Sequence, residues 1–208
     1  MTAAEEEQLR KHRLLFEKPK GGTLLAGADA TRDWPSGRGI FHNDEKTFVV
    51  WVNEADHMQI ISMENSGDIP KVFTRWVKCA QIVEESIKRS GYEFMYNNHL
   101  GFLSTCPSSV GTALRASVFL NLEKLGQNSC KLENICQSLG LQSQRLSGEY
   151  GTYVGEMWDI SNKITIGPSE VELVQTIIDG VAKLIELEKV MHTEKTYDDI
   201  FQELSINA

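Results

Sequence analysis

Two segments of the chain carry the side chains that could do chemistry. Val50–Gln59 contains Glu54, while Thr105–Arg115 contains Cys106 and ends, nine residues after it, in an arginine. An arginine guanidinium stays charged and binds phosphate oxygens through paired hydrogen bonds, and a carboxylate beside a substrate acts as a base or an orienting group. A serine hydroxyl two residues after Cys106 would favour the thiolate by hydrogen bonding to its charged form. Groups of these kinds can position a substrate and neutralise negative charge on it.

Each of these residues also has a structural interpretation. Taken alone, Cys106 in a turn is an ordinary thiol, and Arg115 at the start of a strand is as readily a salt-bridged residue as an anion ligand. Glu54 is as readily a solvated carboxylate, and Trp51 and Trp158 are most simply aromatic residues of a core or a sheet face. Single residues therefore leave both interpretations open.

The composition is that of a soluble globular protein with one well-buried core. The 208 residues carry a net charge of −8, which repels nucleic acid, and 41% of them are hydrophobic. No apolar run reaches the ~18 residues of a membrane span, and the acidic N-terminus lacks the pattern of a signal peptide. Four cysteines without a C-x-x-C pair predict free thiols in a reducing cytosol. We therefore expect a cytoplasmic protein with no nucleic-acid partner and no membrane partner.

The periodicity of apolar residues predicts an α+β fold, in which helices flank an antiparallel β-sheet. Strands followed by packing helices, without β-α-β alternation, favour antiparallel pairing. Helices are predicted over 3–16, 68–90, 130–139 and, from a cap at Ser169, to about His192. Period-two runs predict strands at Gly39–His42, Thr47–Asn53, Met58–Glu64, Leu100–Thr105, Arg115–Leu122 and Met157–Ser161, with a glycine-rich loop over Ser147–Gly155.

Longer motifs resemble the phosphagen (guanidino) kinases, and among them most closely the creatine kinases. Val50–Gln59 resembles the family pattern N-E-E-D-H-L-R. Other matching stretches are R-D-W-P (Arg32–Pro35), R-G-I-F-H-N-D (Arg38–Asp44), N-H-L-G-F (Asn98–Phe102), D-I-S-N (Asp159–Asn162) and S-E-V-E-L-V-Q (Ser169–Gln175). The resemblance implies the glutamine synthetase/guanido kinase-like C-terminal domain of these enzymes, without their small helical domain and first strands. It predicts one truncated domain over 1–208, with an N-terminal helix and loop in 1–37, the sheet and packing helices in 38–192, and a tail in 193–208.

The resemblance implies a change in the half of the site that holds the guanidino group. In the family, two adjacent glutamates hold the guanidinium. Glu54 matches the first, whereas Ala55 stands at the second, which is treated as a base or substrate orienter. Cys106 matches the reactive cysteine, whose thiolate orients the guanidino substrate. Cys106 is thus the catalytic position that the sequence retains, and Glu54 is a vestigial one.

The phosphate-binding half is altered as well. In the family a cage of arginines surrounds the nucleotide phosphates, and Arg115 matches one of them while Gln59 replaces another. A gapless alignment puts Gln144 at a third position, and a shift of one residue would bring Arg145 there. The remaining arginines belong to an S-R-V-R segment that has no counterpart in this chain.

The resemblance assigns three further nucleotide contacts. Asp159 keeps a nucleotide-contacting position, and Trp51 keeps an aromatic residue beside the pocket. A histidine that packs on the adenine aligns with Arg13, with His12 one position away. No metal ligand is assigned. No cofactor is required by this interpretation, although the family implies Mg-ATP or Mg-ADP as the ligand of such a site.

Together the substitutions predict a catalytically inactive, creatine kinase-like domain that acts as a structural or interaction subunit, without a guanidino substrate. Losing a base costs ~10²–10⁴ in rate and losing a charge-neutralising arginine up to ~10³–10⁵. One alternative is a guanidino kinase whose missing arginines and strands come from a partner chain. A second alternative is a weak nucleotide-binding module without transfer activity.

A sheet without its first strands leaves an edge of unpaired backbone groups, which recruits other strands. We therefore expect a protein partner, a homo-oligomer or the N-terminal helix to cover that edge. Because the family is associated with energy supply in muscle and motile flagella, a flagellar or axonemal assembly is an expected setting.

Overall fold

The computed structural model of this chain describes residues 2–12, 14–147, 153–193 and 196–204. The chain divides into two compact units, which are described separately below. Unit 1 consists of Met1–Met95 and Ser104–Cys106, and unit 2 of Tyr96–Leu103 and Pro107–Ala208. The predicted α+β class is confirmed, because both units combine antiparallel strands with packing helices.

Unit 1 begins with helix α1 (Ala3–Lys11), which is closed at its start by a capping box between Thr2 and Glu5. The helix is shorter than the predicted 3–16, and residues 14–20 have no regular secondary structure. Leu14 and Phe16 are buried there, and the Leu14 carbonyl accepts a hydrogen bond from the Trp51 indole at 2.8 Å. Burying these apolar side chains against the sheet is therefore more favourable than continuing the helix that their spacing in the sequence predicts.

A three-stranded antiparallel meander forms the centre of unit 1, as predicted. After a short helix, α2 (Leu24–Gly27), come β1 (Gly39–His42), β2 (Phe48–Val52) and β3 (Met58–Ser62), in the spatial order β1-β2-β3. The turn between the first two strands is held by Asn43, whose side-chain oxygen accepts the N–H groups of Thr47 and Phe48 at 2.9 and 3.0 Å.

Helix α3 (Ile69–Arg89) lies one residue inside the predicted 68–90 at each end, and Asp68 caps it by accepting the Lys71 N–H at 3.0 Å. The helix packs against β3, where the Trp76 indole donates to the Ile60 carbonyl at 3.1 Å. The helix is strongly amphipathic, yet none of its described residues is buried. Unit 1 therefore covers only part of this helix.

Unit 2 is built on a second three-stranded antiparallel sheet, in the order β6-β8-β7. Its strands and helices are the hairpin β4 (Tyr96–Asn97) and β5 (Gly101–Phe102), then β6 (Ser117–Asn121), α4 (Ser129–Ser138), β7 (Leu141–Ser147), β8 (Tyr153–Asn162), α5 (Glu170–Met191) and α6 (Tyr197–Glu203). The capping box at the start of α5 joins Ser169 and Glu172, as predicted.

The structure corrects the predicted elements of unit 2 at several places. Strand β8 begins at Tyr153, inside the predicted loop Ser147–Gly155 and four residues before the predicted strand Met157–Ser161. The edge strand β7 (Leu141–Ser147) was not predicted as a strand, and its pairing with β8 is irregular between Arg145 and Ser147. Strand β5 is limited to Gly101–Phe102 because it pairs with the short β4, which the sequence did not indicate. The predicted tail contains α6, whose Tyr197 hydroxyl lies 2.9 and 2.8 Å from the carbonyls of Lys124 and Leu125.

The core of unit 2 lies between α5 and one face of the β6-β8-β7 sheet. Gly180 of α5 permits a close approach, since a β-carbon there would lie 2.5 Å from a methyl of Leu141. Glu188 is buried at the other flank of α5, and its two carboxylate oxygens each accept a backbone N–H at 2.9 Å, from Lys124 and Leu125. The buried apolar side chains of α5 are Leu173, Val174, Ile177, Val181, Leu184 and Leu187.

The stability of unit 2 is expected to fall with rising pH because of Cys136. Burial raises the pKa of this thiol to about 11, from 9.0. The thiol therefore ionises first in the unfolded chain, so stability is complete below pH 9 and declines towards pH 11, by about 1 kcal/mol at pH 10. Burial also raises the pKa of Tyr197, which acts in the same direction.

Denaturant unfolding at pH 8 and pH 10 measures this decline. Cys136→Ala should reduce the difference between the two pH values, whereas the exposed-thiol control Cys130→Ala should keep it. An unchanged pH difference in Cys136→Ala would contradict the assignment.

Within the described residues, no helix is long and apolar enough to cross a membrane.

Candidate active site

In unit 1 the loop between β2 and β3 carries Glu54, and its carboxylate is engaged within the loop. One oxygen, Oε2, accepts the backbone N–H of Ala55 at 2.5 Å and the side-chain amide of Gln59 at 3.2 Å. The loop starts at Asn53, which has φ of 56°, and the side chain that follows Glu54 is only a methyl group. The Glu54 carboxylate is therefore bound by groups of its own loop. Binding a guanidinium as the family pattern does would need two adjacent carboxylates that point outward.

The segment that contains Cys106 is attached to the same loop. The Thr105 N–H donates to Oδ1 of Asp56 at 2.6 Å, and Ser104 Oγ lies 3.2 Å from the Cys106 nitrogen and 3.1 Å from its carbonyl oxygen. Cys106 itself is exposed and forms no disulfide. The structure thus brings Cys106 and Glu54 onto adjoining segments of unit 1. Asp56, which holds them together, was given no role by sequence reasoning, although it stands within the N-E-A-D-H motif.

Trp51 has a structural position in unit 1. Its indole nitrogen donates to the Leu14 carbonyl, and its ring lies 5.5 Å from that of Phe16 in an edge-on arrangement. Phe16 makes a second edge-on contact with Trp34, at 5.7 Å. These contacts anchor Leu14 and Phe16, which follow α1, to the sheet.

In unit 2 the predicted pair Arg115 and Asp159 lies together. The guanidinium donates to Oδ2 of Asp159 at 2.8 Å; the Arg115 side chain is 51% exposed and that of Asp159 is 15% exposed. The other carboxylate oxygen, Oδ1, is buried and has no hydrogen-bond partner among the residues that the structure describes. Arg115 therefore serves as the counter-ion of a mostly buried aspartate.

The register of the sheet places Asp159 on the face that α5 does not cover. Asp159 is directly opposite Phe119 on β6 and Gln144 on β7, and opposite residues of antiparallel strands share a face. The neighbouring residues Trp158 and Ile160 are buried towards α5. We call the face with Asp159 the open face of this sheet. Gln144, the predicted replacement of a family arginine, is thus beside Asp159.

Arg145 lies on the opposite face from Asp159, because adjacent residues of a strand alternate. It is paired in register with Trp158, and its guanidinium carbon lies 6.0 Å from that ring. Its Nη2 donates to Glu156 at 2.9 Å and lies 3.3 Å from the Gly155 carbonyl. The structure therefore does not bring Arg145 together with Arg115, and the proposed shift of one residue does not place it on the open face. Glu156 is a partner that sequence reasoning missed.

Arg13, which the sequence aligned with an adenine-packing histidine, lies outside the described residues, as do residues 148–152 of the glycine-rich loop. The adjacent His12 ends α1, with Nδ1 2.8 Å from the Gln8 carbonyl and Nε2 3.2 Å from the Lys46 amine. These contacts join the helix to the turn after β1.

Comparison with known proteins assigns the architecture and motifs to one family. A family model described as the C-terminal catalytic domain of ATP:guanido phosphotransferases matches residues 1–191. The chain belongs to this family. It is 46% identical over 200 residues to creatine kinase B-type of Gallus gallus and 44% identical to lombricine kinase of Eisenia fetida.

The guanido phosphotransferase match covers most of this chain but only part of its relatives. The alignments span 96% of the chain and 52% and 53% of those two proteins, so the chain spans about half the length of the relatives it matches. A crystal structure of lombricine kinase superposes with a TM-score of 0.86 at 44% identity, covering 96% of this chain and 54% of that one. The predicted family and fold are confirmed.

The described residues of this family member do not fit the phosphates of Mg-ATP. Phosphate oxygens are held by positive, bidentate donors. In unit 2 the open face offers Arg115, which is already paired with Asp159, and the neutral amide of Gln144. In unit 1 the amide of Gln59 is bound to Glu54.

Proposed function

We propose that this guanido phosphotransferase-family domain is catalytically inactive and acts as a structural or interaction subunit of a larger assembly. The observation that carries the proposal is the state of Glu54. Its carboxylate is bound to the backbone N–H of Ala55 and the amide of Gln59, at the two positions where the family pattern has a glutamate and an arginine. A guanidino substrate would have to displace these contacts and would still find one carboxylate.

The charges of unit 2 support the same conclusion. Arg115 neutralises Asp159 on the open face, and Arg145 neutralises Glu156 on the other face. Transition-state charge in phosphoryl transfer is stabilised by cations that are preorganised for it. Both predicted phosphate-binding arginines instead form salt bridges with carboxylates of their own sheet. In this arrangement they stabilise the sheet.

A weak nucleotide-binding module is the second candidate function, and one observation favours it. Arg115 and Asp159 occupy positions that the family uses for the nucleotide, and both face the side of the sheet that α5 leaves open. A ligand there would need more positive charge than the described residues provide. Flagellar or axonemal placement stays a prediction from the family association.

Titration calorimetry with Mg-ADP separates the two candidates. We expect no heat of binding for the wild-type chain at millimolar ligand. Gln144→Arg adds a cation beside Asp159 on the open face and should give measurable ADP binding at millimolar ligand, because charge-assisted hydrogen bonds are stronger than neutral ones.

Gln142→Arg is the matched control, since Gln142 lies on the same strand and the same face, opposite Ser161. Equal gains in both variants would mean that only the overall charge matters. Binding by the wild-type chain would favour the nucleotide-binding module. A coupled assay of phosphoryl transfer to guanidino acceptors tests the absence of catalysis directly.

A further inference from the structure

Helix α6 is kept on unit 2 by its contacts with the rest of that unit. Ile200 is fully buried and Phe201 is 3% exposed. The amine of Lys131 in α4 lies over the rings of Tyr197 and Phe201, 5.0 and 5.7 Å from their centres, and 3.6 Å from the Asp198 carboxylate. The helix has seven residues, and isolated helices shorter than ~12–15 residues are marginal in water. Without these contacts α6 would therefore unfold.

The hydroxyl of Tyr197 is the polar anchor of α6. It lies 2.9 and 2.8 Å from the carbonyl oxygens of Lys124 and Leu125, and it accepts the Asn128 N–H at 3.3 Å. Because a carbonyl oxygen can only accept a hydrogen bond, the first two contacts depend on the hydrogen of the hydroxyl. All three partners belong to the segment that joins β6 to α4. One hydroxyl group thus fixes α6 to this segment.

The surroundings of this hydroxyl disfavour negative charge. Burial, and to a lesser extent the carboxylate of Glu188, raise the pKa of Tyr197. Glu188 is held in place, because its two carboxylate oxygens accept the N–H groups of Lys124 and Leu125 at 2.9 Å. An anionic group on the Tyr197 oxygen would therefore face two carbonyl oxygens and a fixed carboxylate.

We propose that Tyr197 is a phosphorylation site for a protein tyrosine kinase, and that its phosphorylation releases α6 from unit 2. The kinase transfers the γ-phosphoryl group of ATP: the P–O bond to ADP breaks, a P–O bond to the tyrosine oxygen forms, and the hydroxyl proton passes to the kinase's base. The product has no hydrogen to donate to the two carbonyls and carries a charge of about −1.5 to −2. This inference does not depend on whether the domain is catalytically inactive.

The residues after Tyr197 suit a kinase with a basic substrate groove. Asp198 and Asp199 are both exposed, and the side chain of Asp198 is 77% exposed. Complementary charges across an interface speed encounter and select partners. A kinase needs its tyrosine on an extended segment, and α6 becomes one when it undocks, because the free helix is unstable. The phosphorylated segment cannot restore the contacts of the hydroxyl, so the modification retains the undocked form.

Lys131 is the cation that would oppose this release. Its amine lies over the face of the Tyr197 ring and beside the Asp198 carboxylate, so its charge is already shared between an aromatic ring and an acid. A phosphate that captured Lys131 would hold α6 more tightly to α4. The exchange of backbone hydrogens distinguishes the two outcomes, because release accelerates it and capture slows it.

Hydrogen exchange of the full chain with phosphotyrosine incorporated at position 197 tests the release. We expect the amides of α6 and of Asn128, which donates to the tyrosine oxygen, to exchange at least ~10-fold faster than in the unmodified chain. The Leu125 N–H is the internal control, because it lies in the same segment but is held by Glu188 of α5. Unchanged or slower exchange at Asn128 would overturn the proposal.

Treatment with a tyrosine kinase that prefers acidic substrates, together with Mg-ATP, tests the site itself. Mass spectrometry should find phosphate on Tyr197, and the treated chain should show the faster exchange at Asn128. Tyr92 is the comparison, since it is 72% exposed and is followed by Glu93. The Tyr197→Phe chain keeps the ring but has no hydroxyl, so treatment should leave its exchange unchanged. Absence of phosphate on Tyr197, or equal acceleration in treated Tyr197→Phe, would contradict the assignment.

Discussion

Purified protein is expected to pass phosphate from ATP to creatine, arginine, taurocyamine or glycocyamine at least ~10⁴-fold more slowly than the ~1–100 s⁻¹ of ordinary kinases. The absence of a second carboxylate at Ala55 costs ~10²–10⁴. An arginine that neutralises the moving phosphoryl group is worth up to ~10³–10⁵, and Gln59 instead donates its amide to Glu54. These penalties do not add simply, because the groups act as a unit.

A coupled ATP-regeneration assay with each acceptor measures this rate, and turnover within about a hundredfold of the usual kinase range would refute the inactive assignment. The double variant Ala55→Glu/Gln59→Arg replaces both lost groups and should raise the rate above that of the wild type. Ala55→Gln/Gln59→Arg is the matched control, since it adds side chains of the same size without the carboxylate. Equal rates in the two double variants would mean that the carboxylate is not what the site lacks.

Elements with strong local signals could be predicted from the sequence. The β1-β2-β3 meander, α3 and α5 have the predicted type and nearly the predicted bounds, because alternation, helical stripes and caps act between residues close in the chain. The helix expected over 3–16 ends early, since burial of Leu14 and Phe16 beside Trp51 is a long-range contact that spacing does not encode. Helix α6 was missed for the same reason, because Tyr197 is held by carbonyls some seventy residues away.

In the candidate site, too, the sequence indicated which residues matter but not how they are arranged. Motifs indicated which residues matter, including Arg115 and Asp159, and the structure places these two within 2.8 Å. They did not indicate that Glu54 is bound by Gln59, or that Arg145 is on the face opposite Asp159. Face and partner depend on strand register, and a change of register by one residue exchanges the two faces of a strand.

Gly111→Ala is expected to destabilise unit 2 by roughly 3–5 kcal/mol, because it combines backbone strain with a backbone clash. Gly111 has φ of 116°, and a β-carbon there would overlap the carbonyl of Thr165. Its own backbone exchanges hydrogen bonds of 3.1 and 2.7 Å with Phe102, and Thr112 donates to the Thr165 carbonyl at 2.9 Å. The residue is therefore enclosed on two sides by backbone, which cannot move away as a flexible side chain could.

Gly167→Ala separates the two contributions. Gly167 has a similar φ, 105°, but a β-carbon there would meet nothing within 4 Å, so only the strain of ~1–3 kcal/mol should remain. Denaturant unfolding followed by circular dichroism measures both variants, and hydrogen exchange of α5 reports on unit 2 specifically. If Gly111→Ala is no less stable than Gly167→Ala, the close approach of β5, Gly111 and Thr165 is wrong. If it is less stable, the difference between the two variants measures the cost of the clash between the added β-carbon and the Thr165 carbonyl.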